Sequence, residues 1–157
     1  MKASIISAWL LLLATTACLQ KVNGASSAWR SLNKAVREKN LDLVKSLLAN
    51  GVDAKATNIA GWSALMLAAK YGNDDMVQIL LPKSDIKAAN RRGYTALMYA
   101  AWSGNEKSVK LLLPKSDVKA KNYHGLTALD LAKMRKNTDD NTRRIITLLQ
   151  QYMLLEL

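Results

Sequence analysis

The sequence has a single cysteine, Cys18, and a single histidine, His124, among its 157 residues. One cysteine cannot form an intramolecular disulfide bond, and the two residues do not show the spacing of a zinc site or a thiol-dependent active site. The sequence also lacks a glycine-rich phosphate-binding loop and a recognisable Ser/His/Asp set. Asp139, Asp140 and Asn141 are adjacent, whereas the oxygen ligands of calcium loops alternate along the chain. The sequence therefore predicts no metal, no cofactor, no small-molecule substrate and no enzymatic activity.

The composition is that of a folded, basic protein. Half of the residues are hydrophobic, which is enough for a packed core in one domain of ordinary size. Lysine and arginine number 23 against 12 acidic residues, so the formal net charge is +11. A positive surface favours an acidic partner. Several of the basic residues recur near predicted turns: Lys55, Lys87, Arg91, Arg92, Lys119 and Lys121.

The amino-terminal segment has the layout of a secretory signal. Met1 and Lys2 give a positive start, residues 3–13 are mostly apolar, and residues 14–17 are small. The apolar run is shorter than the about 20 residues that a membrane-spanning helix needs. We therefore expect residues 1–17 to be a signal peptide. Residues 18–27 are short and polar, with Gly24 among them, and are expected to form a tether.

Cys18 follows the small residues directly, and this arrangement resembles the lipobox of bacterial lipoproteins. In a lipobox the cysteine is lipidated and becomes the first residue after cleavage. Thr15 stands where the usual lipobox has leucine, so the match is imperfect. Two outcomes stay open, namely lipid attachment at Cys18 and cleavage near Cys18 or after Gly24. We expect an exported protein that is periplasmic, lipid-anchored to the cell envelope, or secreted.

The remainder of the chain repeats itself with a period of 32 residues. Each copy has asparagine, then glycine three residues later, then serine or threonine followed by alanine and leucine. A fixed period of this size predicts stacked helical repeats, because one helix pair cannot bury its own apolar face. The three copies of the pattern are Asn58, Gly61, Ser63, Ala64 and Leu65; Asn90, Gly93, Thr95, Ala96 and Leu97; and Asn122, Gly125, Thr127, Ala128 and Leu129.

The residues inside each copy predict where helices begin and end. Ser63 is expected to cap the first helix of its unit, and Asn73 the second. Pro82 is expected to stop that second helix because it lacks a backbone N–H. The last copy holds about four extra residues between its helices, and residues 137–142 are expected to form the surface loop that contains them.

The pattern resembles the ankyrin repeat over residues 28–157. The resemblance implies an all-α solenoid of about four helix–turn–helix units with protruding turns, with units at 28–57, 58–89, 90–121 and 122–157. Ala64, Ala96 and Ala128 stand where the family has proline, and the period is one residue shorter than the family's. Neither departure changes the predicted fold.

The resemblance also implies where a partner binds, since ankyrin-like arrays use their turn tips and the exposed side of each first helix. Arg91 and Arg92 are the sharpest candidates because nothing local pairs with them. Trp62, Tyr94 and Leu126 recur in register, so we expect them to pack partly against each other as well as to bind. The full set of predicted partner-binding residues is Ile59, Trp62, Lys70, Tyr71, Arg91, Arg92, Tyr94, Trp102, Tyr123, His124 and Leu126.

The function implied by the resemblance is non-catalytic binding of a protein partner, and the positive charge predicts that the partner's surface is acidic. The same surface would serve a secreted effector that acts on host or neighbouring-cell proteins. If the leader is not a signal, the basic charge would suit a nucleic-acid-binding adaptor. After export, nucleic acid is not an expected partner, and an acidic protein surface or an anionic polymer of the cell envelope fits the charge better.

Overall fold

The computed structural model describes residues 27–136 and 139–155, and this part of the chain is helical. The signal-peptide and lipidation predictions, including Cys18, fall outside these residues. Two isolated antiparallel bridges, Thr57 with Ser63 and Ala89 with Thr95, are the β contacts within them. The described residues form eight α-helices: α1 (27–37), α2 (Leu41–Ala49), α3 (Ala64–Lys70), α4 (Asp74–Leu80), α5 (Ala96–Ser103), α6 (Glu106–Leu112), α7 (Ala128–Lys133) and α8 (Asp140–Leu155).

The helix boundaries follow from capping side chains. The Ser63 hydroxyl accepts a hydrogen bond from the Met66 N–H, which confirms that Ser63 caps α3. Asn73 caps α4 in the same way through Met76. These contacts satisfy backbone donors that have no partner inside the helix. The predicted pattern of caps is therefore present in the folded chain.

In the second and third units, the second helix is followed by a 3₁₀ turn that contains a proline. Helix α4 stops at Leu80, and the chain continues as a single 3₁₀ turn, Leu81–Lys83, which holds Pro82 in its first residues. Helix α6 is followed by the equivalent turn, Leu113–Lys115. Proline is tolerated at the start of a helical turn because a backbone N–H at that position has no acceptor inside the helix.

The helices form two parallel rows, which gives the predicted solenoid. Helix α3 packs against α5 and α5 against α7, while α2, α4, α6 and α8 contact one another in sequence. Residues Ala64 to Ala69 are all buried, because α3 has neighbours on several sides and its alanines permit close approach. Leu65, Leu97 and Leu112 lie fully inside the shared core. Burying each such leucine contributes about 1.5–3 kcal/mol.

The protruding turns are built by the repeated asparagine. The Asn90 side-chain oxygen accepts hydrogen bonds from the N–H groups of Arg92 and Tyr94, at 2.9 and 3.0 Å. Asn58 and Asn122 make the same pair of bonds in their own turns. An asparagine or aspartate side chain that bonds the backbone two residues on is a recognised turn former. This is why the first residue of each copy fixes the shape of the turn.

Neighbouring turns are hydrogen-bonded to each other. The Arg91 N–H donates to the Ala60 carbonyl at 3.0 Å, and the Tyr123 N–H donates to the Arg92 carbonyl at 3.1 Å. The three turns therefore form a connected row along one side of the stack. Their positions relative to one another are set by the backbone as well as by packing of the helices.

The expected loop at residues 137–142 is wrong at its second half. Helix α8 begins at Asp140, so residues 140–142 are helical, and Thr142 is buried. The Thr142 N–H donates to Asp139 at 2.8 Å, which starts the helix earlier than its apolar residues indicate. Arg135 then donates to the Thr142 hydroxyl and to the Trp102 carbonyl, which ties the end of α5 to the last unit.

Candidate binding site

A groove of about 480 Å³ lies between the first two protruding turns and the exposed ends of α3 and α5. We call it the aromatic groove, because four aromatic side chains line it. Three cationic side chains accompany them. The residues that line it are Ala60, Trp62, Lys70, Asn90, Arg91, Arg92, Tyr94, Tyr99 and Trp102.

Three of the rings form one stacked cluster centred on Tyr99. The ring centroids of Trp62 and Tyr99 lie 4.6 Å apart with an interplanar angle of 27°. Those of Tyr94 and Tyr99 lie 5.3 Å apart with an angle of 24°. Aromatic pairs at such distances contribute about 0.5–1.5 kcal/mol beyond the area they bury. Trp62 and Tyr94 therefore both stack on Tyr99, a ring from α5 that their shared register did not indicate.

The Tyr99 hydroxyl is held by the turn that precedes it. The Asn90 side-chain nitrogen donates to it at 2.8 Å. The Asn90 oxygen already accepts two backbone N–H groups, so this is the only orientation of the amide that fits. Burial raises the pKa of Tyr99, against the smaller opposing effect of the Asn90 hydrogen bond. The hydroxyl is therefore neutral at physiological pH and keeps its own proton for an acceptor.

Tyr99 lines the groove but is not among the binding residues predicted from the sequence. It occupies the position of Leu67 in the preceding unit and Leu131 in the following one, both of which are buried. Tyr99 is itself only 9% exposed, so its period correctly indicates a core position. The signal that could have found it is the hydroxyl, because tyrosine stands where the other units have leucine.

Among the described residues that line the groove, three are cationic and none is acidic. The Lys70 Nζ lies 5.0 Å from the centroid of the Trp62 ring, within the range of a cation–π contact. Arg91 and Arg92 are exposed at the tip of the second turn. Neither arginine forms an ion pair with the part of the chain that the structure describes.

Six of the eleven predicted binding residues meet in this groove, and Trp102 is the most open of its rings at 50% exposure. The other five lie along the same side of the stack but outside the groove's lining. Ile59 and Tyr123 are the exposed tips of the first and third turns, at 86% and 78%. Tyr71 is partly exposed at the end of α3, His124 is exposed in the third turn, and Leu126 is half-buried there.

The third turn does not reproduce the groove. Asn122 corresponds to Asn90, but the residue corresponding to Tyr99 is Leu131, which has no hydroxyl. Accordingly, the Asn122 side-chain nitrogen is buried and has no hydrogen-bond partner among the described residues. The combination of aromatic cluster, hydroxyl and paired arginines is specific to the junction of the second and third units.

The described residues contain neither a metal-binding cluster nor a membrane-spanning helix. Within 27–136 and 139–155, no three histidine, cysteine or acidic side chains come close enough to hold a metal ion. In the same ranges, none of the helices has both the length and the apolar character needed to cross a bilayer.

Comparison with known proteins gives a family match over the middle of the chain. The family model described as "Ankyrin repeats (3 copies)" matches residues 32–122, more than half of the sequence. These residues run from α1 to the start of the third turn and contain the whole aromatic groove.

Individual relatives match over a shorter stretch. Notch-regulated ankyrin repeat-containing protein A of Danio rerio is 43% identical over 54 residues, which are 34% of this chain and 48% of that protein. Its Homo sapiens counterpart is also 43% identical over 54 residues, 34% of this chain and 47% of that protein. Mitochondrial disaggregase of Bos taurus is 45% identical over 56 residues, 36% of this chain and 8% of that protein. The chain spans less than half the length of each of these relatives.

Proposed function

Since the chain belongs to the ankyrin repeat family, we propose that it is a non-catalytic module that binds a protein partner through its turn tips and first helices. The partner carries an acidic surface. The module is exported from the cytoplasm by its amino-terminal segment and is either tethered by lipid at Cys18 or released. Ankyrin repeats are a protein–protein interaction module. The binding surface, the acidic partner, the export and the lipid tether are our proposal.

The aromatic groove is the single observation that best supports the proposed binding surface. Tryptophan, tyrosine and arginine are the residue types that contribute most to protein–protein binding energy, and they meet here in one depression. Trp102 is half exposed although it is large and apolar. The remaining predicted residues extend the same surface to the first and third turns, so a protein could contact the groove and its flanks together.

The acidic character of the partner follows from charge. Arg91 and Arg92 project from the second turn without an ion pair among the described residues. The chain as a whole carries a net charge of +11. Complementary charge speeds association and selects the partner more than it adds affinity.

A matched pair of charge reversals tests this surface. The protein bearing Arg91→Glu and Arg92→Glu is used as bait beside wild type and a control bearing Lys45→Glu and Lys83→Glu, which changes net charge equally. Lys45 on α2 and Lys83 after α4 are exposed and lie outside the groove's lining. Partners recovered by wild type and control but lost by the arginine variant support the proposal. Equal recovery of partners by all three proteins would refute it.

Export is tested on the amino terminus itself. Mass spectrometry of the protein purified from the cells that produce it distinguishes three results. A diacylglyceryl mass on Cys18 supports a lipid tether, and a new amino terminus near Ser26 supports release. An intact Met1 would overturn the export proposal and leave the binding proposal standing.

A further inference from the structure

We propose that the aromatic groove receives an extended, acidic segment of the partner, with an apolar side chain resting on Trp102 and a carboxylate accepting from the Tyr99 hydroxyl and Arg91–Arg92. This inference rests on the proposed function and assigns the chemistry of the bound segment. It also assigns Tyr99 as a specificity-determining residue.

The charged side chains of the groove are all hydrogen-bond donors. Lys70, Arg91 and Arg92 can only donate, and none of the described residues that line the wall carries a carboxylate. The Asn90 oxygen, which is the one amide acceptor, is already used by two backbone N–H groups. A ligand that satisfies this wall must therefore be rich in acceptors and negatively charged.

Tyr99 adds a donor at a fixed place. Its oxygen accepts from Asn90 at 2.8 Å, and within the described residues its own proton has no acceptor. The ring is held in place by its stacking on Trp62 and Tyr94. A buried, fixed hydroxyl distinguishes ligands sharply, because a ligand that lacks an acceptor leaves it without a partner.

The packing of the rings favours a polypeptide over a nucleic-acid strand. Proteins that bind single strands stack successive bases on free aromatic faces. Here Trp62 and Tyr94 both stack on Tyr99, and Lys70 covers Trp62 as well. The faces in the cluster are thus largely occupied, and their edges, which carry partial positive charge, favour carboxylates. Trp102 makes no ring contact among the described residues, so its exposed ring can contact one apolar side chain of the bound segment.

The experiment measures binding of three fluorescent probes to the full-length protein by anisotropy at near-physiological salt. The first probe has three repeats of Gly-Glu-Leu-Glu, the second has glutamine in place of glutamate, and the third is a twelve-nucleotide thymidine oligomer. We expect the acidic peptide to bind at least tenfold more tightly than the glutamine peptide, because charge-assisted hydrogen bonds are about twice as strong as neutral ones. The oligomer should bind more weakly than the acidic peptide.

Variants locate the binding. Arg91→Glu with Arg92→Glu, and separately Trp102→Ala, should weaken the acidic peptide tenfold or more, whereas Lys45→Glu with Lys83→Glu should change it by less than about threefold. Tyr99→Phe keeps the ring stack and should weaken binding by about fivefold, the loss of one net hydrogen bond. Thermal unfolding of every variant separates a lost contact from a lost fold.

Each other result overturns the inference. Equal binding of the acidic and glutamine peptides, or an equal loss in the lysine control, would show that no acidic segment is recognised in this groove. Tighter binding of the oligomer, lost in the arginine variant, would assign the groove to nucleic acid. If the arginine variant loses its protein partner in the bait experiment while the acidic peptide fails to bind, the proposed function stands and only this inference falls.

Discussion

Replacing Gly93 with alanine tests whether the protruding turns are held by one another, and Gly125 provides the matched control. Both glycines occupy the same position of their turns and have nearly equal backbone angles, φ +77° and +74°. Both angles lie in the left-handed region. A Cβ at Gly93 would approach the Asn122 Cα to 2.9 Å and the Tyr123 nitrogen to 3.1 Å, whereas a Cβ at Gly125 would meet nothing within 4 Å.

The two substitutions therefore share one cost and differ in a second. A left-handed conformation costs alanine about 1–2 kcal/mol at either position. At Gly93 the new methyl group also presses on the backbone of the next turn, which cannot rotate away as a side chain can. Overpacking of this kind adds about 1–3 kcal/mol. It also disturbs the 3.1 Å hydrogen bond from Tyr123 to Arg92, since that bond joins the same two turns.

Thermal or urea unfolding followed by circular dichroism measures the difference. At roughly 4 °C per kcal/mol for a domain of this size, Gly125→Ala should lower Tm by about 4–8 °C. Gly93→Ala should lower it by about 4–12 °C more. Gly61→Ala, which would meet Asn90 Cα at 2.9 Å, should behave like Gly93→Ala. Equal losses at all three glycines would refute the idea that adjacent turns are in close contact.

Three further substitutions test the core, an interhelical hydrogen bond and a helix cap. Leu97→Ala removes a fully buried side chain and should lower the free energy of unfolding by about 2–5 kcal/mol; an unchanged urea midpoint would contradict the stacked arrangement. Ser108→Ala leaves Asp74 without the buried hydroxyl that donates to it at 2.7 Å, and a loss of about 1–2 kcal/mol is expected in the same assay. Hydrogen bonds from Thr127 hold the pKa of Asp130 below its usual value, so this carboxylate stabilises the fold above its unfolded pKa, and the contribution disappears as pH falls. Stability of Asp130→Asn should accordingly fall less between pH 6 and pH 3 than that of wild type, and parallel curves would exclude this role.

The candidate site was predictable where it depends on position along the repeat. The period placed Trp62, Arg91 and Tyr94 on the turns and Trp102 on the exposed end of a first helix, and all four line the groove. The partners of these side chains were not predictable. Trp62 and Tyr94 share a register, which suggested that they pack on each other. In the structure both rings stack on Tyr99, which the register did not indicate.

In the last unit, the sequence predicted where the extra residues lie but not the secondary structure around them. Counting residues correctly located the extra ones between α7 and α8. Their polar character predicted a loop, but Asp139 caps α8 and Arg135 binds the buried Thr142, so the helix starts at Asp140. A polar sequence can be helical when tertiary contacts satisfy its side chains, and those contacts are not visible in the local pattern.

The sequence by itself determined the repeats, their helix caps and the turn glycines, because each of these depends on residues within one unit and recurs with the period. Only the tertiary structure decided which units form the aromatic groove, because that depends on side chains that meet across a boundary between units. Asn90 holds the Tyr99 hydroxyl, and Tyr99 stacks on Trp62 of the preceding unit. In the next unit Asn122 faces a position where leucine replaces tyrosine, so the same turn forms without the same site.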